Sequence, residues 1–249
     1  MAEHEMAMRE NAAHDLSRRS IASEWMDIEP LGFDELRLCL QQLAQINLLS
    51  LGYRPTLTWF AKTVRRRSQG RPLSVLDVGC GYGDMLRQLR RWADRHQIAM
   101  DLHGVDINPI TRQVALSATP PGFAIHYHTA DIFDLPAEQT YDVVISSLFT
   151  HHLDDVALVR FLHWMTTHAT LGWFINDLHR SALAYFGVKQ FLRVMGYHRV
   201  VQHDGPVSVE RALTLGDWHK VIDEAGLRPS AVTVRRFFPF RTGIGCYVT

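Results

Sequence analysis

Val75-Leu76-Asp77-Val78-Gly79-Cys80-Gly81-Tyr82-Gly83-Asp84 decides the fold. An apolar strand runs into an acid and then breaks into glycines at alternate positions. Such glycines let backbone approach a ligand closely, or take a φ that a side chain disfavours. An acid at a strand end, with glycines directly after it, suits a cofactor held at the carboxyl edge of a parallel sheet. A nicotinamide fingerprint reads GxGxxG. Here Gly79, Gly81 and Gly83 spell GxGxG instead.

Outward from this run the pattern alternates. Strands are expected at 73–78, 100–105, 123–128, 141–146 and 171–176. Helices are expected near 83–95 and 109–117 and after Asp154-Asp155. Strands separated by helical stretches mean βαβ units and a parallel sheet. The alternation stalls over 179–213, then resumes with a helix at 214–225 and strands at 230–238 and 242–248. Only Pro239-Phe240-Arg241 joins the last two, too short for a parallel crossover, so the sheet ends in an antiparallel hairpin. The expected fold is α/β, a Rossmann-like, seven-stranded, mostly parallel sheet with that hairpin and a helical cap.

Upstream, residues 1 to about 17 read as a loosely docked start. Residues 18–67 read as helical, with Gly52 and Pro55 marking a break and a second helix from about Pro55 to Arg67. The chain therefore divides into an N-terminal helical cap segment, 1–70, and an α/β domain, 71–249, with a cap insertion at about 179–213.

Composition narrows the function. Lys plus Arg and Asp plus Glu both number 26, so no net field draws the protein to nucleic acid or to an anionic membrane. Arg65-Arg66-Arg67 and Arg90-Arg91 are short enough to be solvated helix faces. Cys39, Cys80 and Cys246 show no metal or redox spacing, and an odd count argues against a disulfide framework. With no signal-peptide pattern and no apolar run near the ~20 residues of a membrane span, the expectation is a cytoplasmic protein without a stable membrane anchor or nucleic-acid partner.

Two further acids stand at strand ends. Asp106, closing the second strand, is placed to accept from two vicinal ribose hydroxyls; Asp101 competes for that role but lies mid-strand. Asp131, after the third strand, is placed to accept from an adenine amino group with Ile132 against the ring; Asp134 competes. Asp84 reads as a helix N-terminal acid, and Cys80 as a small residue in a tight loop.

With these residues in place, the chain resembles the class I S-adenosylmethionine-dependent methyltransferases. Val75–Asp84, Val105-Asp106-Ile107-Asn108-Pro109, Ala130-Asp131-Ile132 and Tyr141-Asp142-Val143-Val144 carry the match in the family's order. The resemblance implies an S-adenosylmethionine cofactor. Asp77 and the backbone of Gly79, Cys80, Gly81 and Gly83 then face its methionine end. Asp106, with Ile107 beside it, holds the ribose, and Asp131 and Ile132 hold adenine. Ser146, Ser147 and Leu148 line cofactor and substrate.

On the acceptor side, His151 and His152 follow the fourth strand. In plant-type small-molecule O-methyltransferases, which the segment resembles without their lysine-containing lead-in, a base histidine lies here, and its offset maps better to His151. The alternative is a structural His-His-Leu that only caps the helix. Asn176 and His179 at the end of strand five, and His203 within Gln202–Val209, are candidate substrate contacts, as is Trp25. Otherwise the 202–209 stretch is a loop held by an Asx turn. His126 and His128 share a strand face without further metal ligands in view, so no metal is expected.

Glu24-Trp25-Met26-Asp27, Gln45-Ile46-Asn47, Ser147–Leu153, Asn176–Arg180 and His203–Val209 also resemble one bacterial subgroup tied to type III polyketide and phenolic-lipid pathways. That likeness implies O-methylation of a phenolic or polyketide-derived hydroxyl in secondary metabolism, on a small aromatic acceptor, by a monomer or homodimer. The alternatives are C-methylation of a quinone or phenol ring and a non-catalytic cofactor-binding module.

Overall fold

The computed structural model describes residues 15–64, 70–136 and 138–248. The expected N-terminal start, up to residue 14, and the Arg65-Arg66-Arg67 run lie outside them.

Seven strands form one sheet: β1 (Leu73–Val78), β2 (Met100–Asp106), β3 (Ile125–Thr129), β4 (Tyr141–Ser147), β5 (Ala169–Leu178), β6 (Val232–Phe237) and β7 (Arg241–Tyr247). Their spatial order is β3-β2-β1-β4-β5-β7-β6. β1 to β5 pair in parallel, and β7 runs antiparallel to both β5 and β6. The order reverses between β1 and β4, so the crevice for a ligand opens at the carboxyl ends of those two strands.

Period-2 alternation explains why a buried sheet has two cores. Leu76 and Val78 of β1, Val144 of β4 and Trp173 and Ile175 of β5 pack on one face. Val75, Val143, Ile145 and Phe174 pack on the other. α6 (Asp155–His168) and α9 (Leu215–Glu224) close the first face through Phe161, Leu162 and Trp218. α3 (Arg54–Thr63) and α4 (Asp84–His96) close the second through Trp59, Phe60, Leu86 and Leu89. Each fully buried side chain of this size contributes about 1.5–3 kcal/mol. Asp77 falls on the Val75 side of the alternation, and so inside the second core rather than at its rim.

The 179–213 stretch, read without strand signals, is helical: α7 (Ala182–Val194) and α8 (Arg199–Arg211). Gly196 separates them at φ +64°. The 202–209 segment is not a loop: it lies inside α8, with Pro206 in the helix interior. Asp204 turns its carboxylate outward and accepts from the backbone N–H groups of Trp25 and Met26 at 2.7 and 3.0 Å. It thereby caps α1 (Trp25–Ile28) from another element. α2 (Phe33–Leu49) lies across α8 and α5 (Pro109–Ala118), sharing a core of Leu36, Cys39, Leu40, Val114, Val200 and Val201. These helices roof the carboxyl edge of β1, β2 and β4. No helix among the described residues is long and apolar enough to cross a membrane.

Candidate active site

A cleft of about 660 Å³ runs under this roof. Asp131, Ile132, Phe133, Asp106, Ile107 and Gly81 line it. So do Glu24, Asp27, His151 and His152, with Leu36, Leu40, Leu43, Val188 and Leu192 as the apolar part of the lining. A small side cavity of about 40 Å³ opens between Asp77, Gly79, Asp84, Ser147, Asn176 and Arg241.

Local geometry makes the floor. Gly81 sits at φ +49°, and only the far end of Leu40, 4.0 Å away, would meet a Cβ there, so its backbone faces the open cleft. Its N–H donates to Asp106 Oδ2 at 3.1 Å, while Oδ1 accepts from Asn108 N–H at 3.0 Å. Burial raises the Asp106 pKa against these two hydrogen bonds. Gly79, at φ +66°, has no room for a Cβ, which would meet the Phe149 ring at 2.7 Å. Asp131 caps the short turn Ile132–Asp134 through Phe133 N–H at 2.9 Å. The competing acids are elsewhere: Asp134 is exposed, and Asp101 pairs with His103 and His126 on the surface.

The side cavity is polar and incompletely paired. Asp77 is 1% exposed, and burial, then Asp84 and Asp106, push its carboxyl well up. Asp77 Oδ1, Ser147 Oγ and Asn176 Oδ1 are buried and have no hydrogen-bond partner among the described residues. Arg241, on β7, donates to Asn47 Oδ1 at 2.7 Å. A buried guanidinium beside unpaired buried acceptors is the complement of a carboxylate and an ammonium on one small molecule. The methionine end of the expected cofactor carries both.

At the acceptor end, Asp177 is the hub. Its carboxylate accepts from Thr150 Oγ1, from His151 N at 3.0 Å, from His151 Nδ1 at 2.8 Å and from Leu178 N at 2.7 Å. Burial opposes its charge, but His151 outweighs it and the Asp177 pKa falls. The other face of the His151 ring puts Nε2 3.4 Å from Glu24 Oε1. Burial works against the His151 cation; Asp177, then Glu24, overcome it and raise its pKa to about 10. For Glu24, burial is offset by His151 and His152, and its pKa falls to about 2. His152 is less enclosed, with 27% of its side chain exposed and Nδ1 2.9 Å from Asp27 Oδ2. Arg211 donates to the His151 and His152 carbonyls and reaches Asp27 at 3.5 Å. This ties α8 to the segment after β4.

The structure does not bring every candidate here. Trp25 stacks on His203 at 3.9 Å, and His203 bonds Asp204; neither lines the cleft. His179 is buried against Thr242 on β7, and Arg180 clamps Leu16, Ala212 and Asp217. Ser146 turns its hydroxyl away, to the Val78 carbonyl at 3.0 Å. Asn176 lies in the side cavity, not at the acceptor end. Cys80 lines both spaces, with its sulfur close against Gly104. Sequence reasoning gave no role to Glu24, Asp27, Asn47 and Arg241, because each reaches the site only through a distant element. The repeated acids in Glu24-Trp25-Met26-Asp27 were the one available signal.

The comparisons agree with this layout. A family model described as a methyltransferase domain matches residues 75–170. No curated protein matches the chain. Among solved structures, the plantazolicin methyltransferase BpumL with S-adenosylhomocysteine is 14% identical at a TM-score of 0.62, covering 90% of this chain and 93% of its own. Magnesium protoporphyrin IX methyltransferase from Synechocystis with bound S-adenosylmethionine is 13% identical at 0.57, covering 92% and 100%. Human N-acetylserotonin methyltransferase with S-adenosylmethionine is 15% identical at 0.60, covering 87% of this chain and 56% of that one. At such identity the likeness shows a shared fold. Residues 75–170 match a methyltransferase domain, and with the shared fold that match supports an S-adenosylmethionine-dependent methyltransferase.

Proposed function

We propose that the protein O-methylates a phenolic or polyketide-derived hydroxyl on a small molecule with a sizeable apolar body. One observation carries this reading: the His152–Asp27 pair opens onto the same cleft as Asp106 and Asp131. When bound, S-adenosylmethionine supplies a methyl group on a sulfonium. Asp106 and Asp131 would hold its nucleoside, and Asp77, Asn47 and Arg241 its amino-acid end. The acceptor takes the remaining volume, against Leu36, Leu40, Leu43, Val188 and Leu192, which suits an aromatic ring or acyl tail. The roof helices over 15–64 and 182–211 then act as the acceptor cap.

The two histidines take different parts. His151 is locked between two carboxylates, which with no cation bound hold a proton on its ring, so it takes none from an acceptor. His152, held at Nδ1 by Asp27 and with Nε2 3.9 Å from Glu24 Oε2, is the histidine left to take a proton from an acceptor while no cation is bound. The offset from the following acid favours His151 as the base; the pairing favours its neighbour. The named acceptors of the structural neighbours, plantazolicin, magnesium protoporphyrin IX and N-acetylserotonin, differ too widely to choose the substrate.

His152→Ala is expected to lower kcat about a hundredfold or more, the range for a lost proton-handling group, while S-adenosylhomocysteine affinity stays within about twofold. Steady-state kinetics on a phenol panel and calorimetric titration read the two separately. An unchanged kcat would remove His152 from the acceptor site.

A further inference from the structure

We propose that Glu24, His151 and His152 form a binding site for one divalent first-row transition cation, Zn²⁺ being the best match, at the acceptor end of the cleft. The proposal rests on reading that end as the acceptor site, and it says how the site would hold a hydroxyl oxygen.

The two rings are held alike. Each has Nδ1 on a carboxylate, His151 on Asp177 at 2.8 Å and His152 on Asp27 at 2.9 Å. Each turns Nε2 toward Glu24, at 3.4 Å from Oε1 and 3.9 Å from Oε2 respectively. A metal-ligating histidine characteristically donates its other ring N–H to a carboxylate, which fixes tautomer and direction. Here that device occurs twice, with both Nε2 atoms converging on a third ligand, and a cation would replace the proton on His151.

The spacing fits a cation better than a hydrogen bond. At 3.4 Å the His151–Glu24 approach is long for an N–H···O contact. It equals the edge of a tetrahedron with bonds of about 2.1 Å, the usual length for imidazole and carboxylate on zinc. One ligand atom from each of the three residues falls within 4.8 Å of the others. Glu24 is 6% exposed and is fixed by the Ser208 hydroxyl at 2.9 Å.

Charge and ligand type agree. Glu24, Asp27 and Asp177 bring three carboxylates around two imidazoles, with Arg211 3.5 Å from Asp27 and the buried Arg241 acting on Asp177. Two nitrogens and a carboxylate suit Zn²⁺, Fe²⁺ or Co²⁺ and leave a coordination position open. All three residues line the cleft, so that position faces the acceptor. A hydroxyl bound there gives up its proton more readily, as metal-bound water does. The proton passes to solvent through the open cleft, since both Nε2 atoms are then on the cation and His152 acts as a ligand rather than as the base.

The test uses the full chain, stripped with a chelator and free of cofactor and acceptor. His103, His126 and His128 cluster with Asp101 on the surface and would bind zinc adventitiously, so His126→Ala and His128→Ala form the background. Calorimetry with ZnCl₂ and visible absorption with CoCl₂ are expected to show one equivalent bound. Glu24→Gln and His152→Ala should each weaken binding about a hundredfold or more, and Asp27→Asn about 10- to 100-fold. S-adenosylhomocysteine affinity, unchanged in the variants, verifies their fold. The absence of a saturable site, or a site indifferent to Glu24→Gln, overturns the proposal. So does undiminished methyl transfer in metal-free protein, which leaves the acceptor reading standing. Stoichiometric binding in protein that methylates no hydroxyl supports the metal site and refutes the acceptor reading.

Discussion

Asp106→Ala is expected to weaken S-adenosylhomocysteine binding about a hundredfold, or about 2.7 kcal/mol, with the unfolding midpoint little changed. The carboxylate ends β2 on the cleft floor, and both its oxygens are already placed by the N–H groups of Gly81 and Asn108. A ribose offers two neighbouring hydroxyls. Hydrogen bonds to a charged acceptor contribute about 1.5–3 kcal/mol each, and part of that is lost to ordering the ligand. Removing the side chain also frees the Gly81 amide, so the loop that faces the cofactor loses a support. Calorimetric titration of wild type and variant decides the matter. Unchanged affinity would take Asp106 out of the ribose site.

Asp177→Ala is expected to cost about 3–5 kcal/mol of folding stability, the range for removing one partner of a buried ion pair. Asp177 is 1% exposed and accepts from four donors on three residues. Its removal leaves the Thr150 hydroxyl, two backbone N–H groups and the His151 ring buried without their acceptor. Glu24 still faces the other side of that ring, which places the loss toward the lower half of the range. Denaturant unfolding in the presence of a chelator, so that no metal contributes, measures it. A loss below about 1 kcal/mol would mean that the Asp177–His151 contact is not the support it is taken to be. His152→Ala, at a half-exposed position, should cost far less, which separates the supporting histidine from the one that meets the acceptor.

The strand-edge half of the candidate site was legible in the sequence because its residues are local. Asp77, Asp106 and Asp131 stand at the ends of three strands, and the glycines that make the cradle follow the first of them. A chain read one strand at a time therefore places them at one edge. Asp106 over Asp101, and Asp131 over Asp134, follow from position on a strand, and both preferred acids line the cleft.

The acceptor half was not legible, because its parts are brought together only by tertiary packing. Glu24 lies in the N-terminal cap segment and His151 inside the α/β domain, far apart in sequence, and they meet through the roof. The insert was opaque for a different reason. Gly205 and Pro206 are turn formers in isolation, yet α8 runs through both because its Val200, Val201 and Val209 are buried. Packing overrides propensity there. Asp204, in such a stretch, suggests an Asx turn; in the fold it caps a helix from 178 residues away. Trp25 is drawn off by the same packing: its ring stacks on His203, while the neighbouring Glu24, Met26 and Asp27 reach the cleft.

The most direct test of O-methyl transfer at this cleft is product NMR after incubating the wild-type protein with ¹³C-methyl S-adenosylmethionine and a panel of alkyl-substituted phenols. The account predicts a labelled methyl signal in the aryl-ether region, absent or greatly reduced with His152→Ala. Label on a ring carbon, or no transfer from protein shown to bind the cofactor, would contradict it.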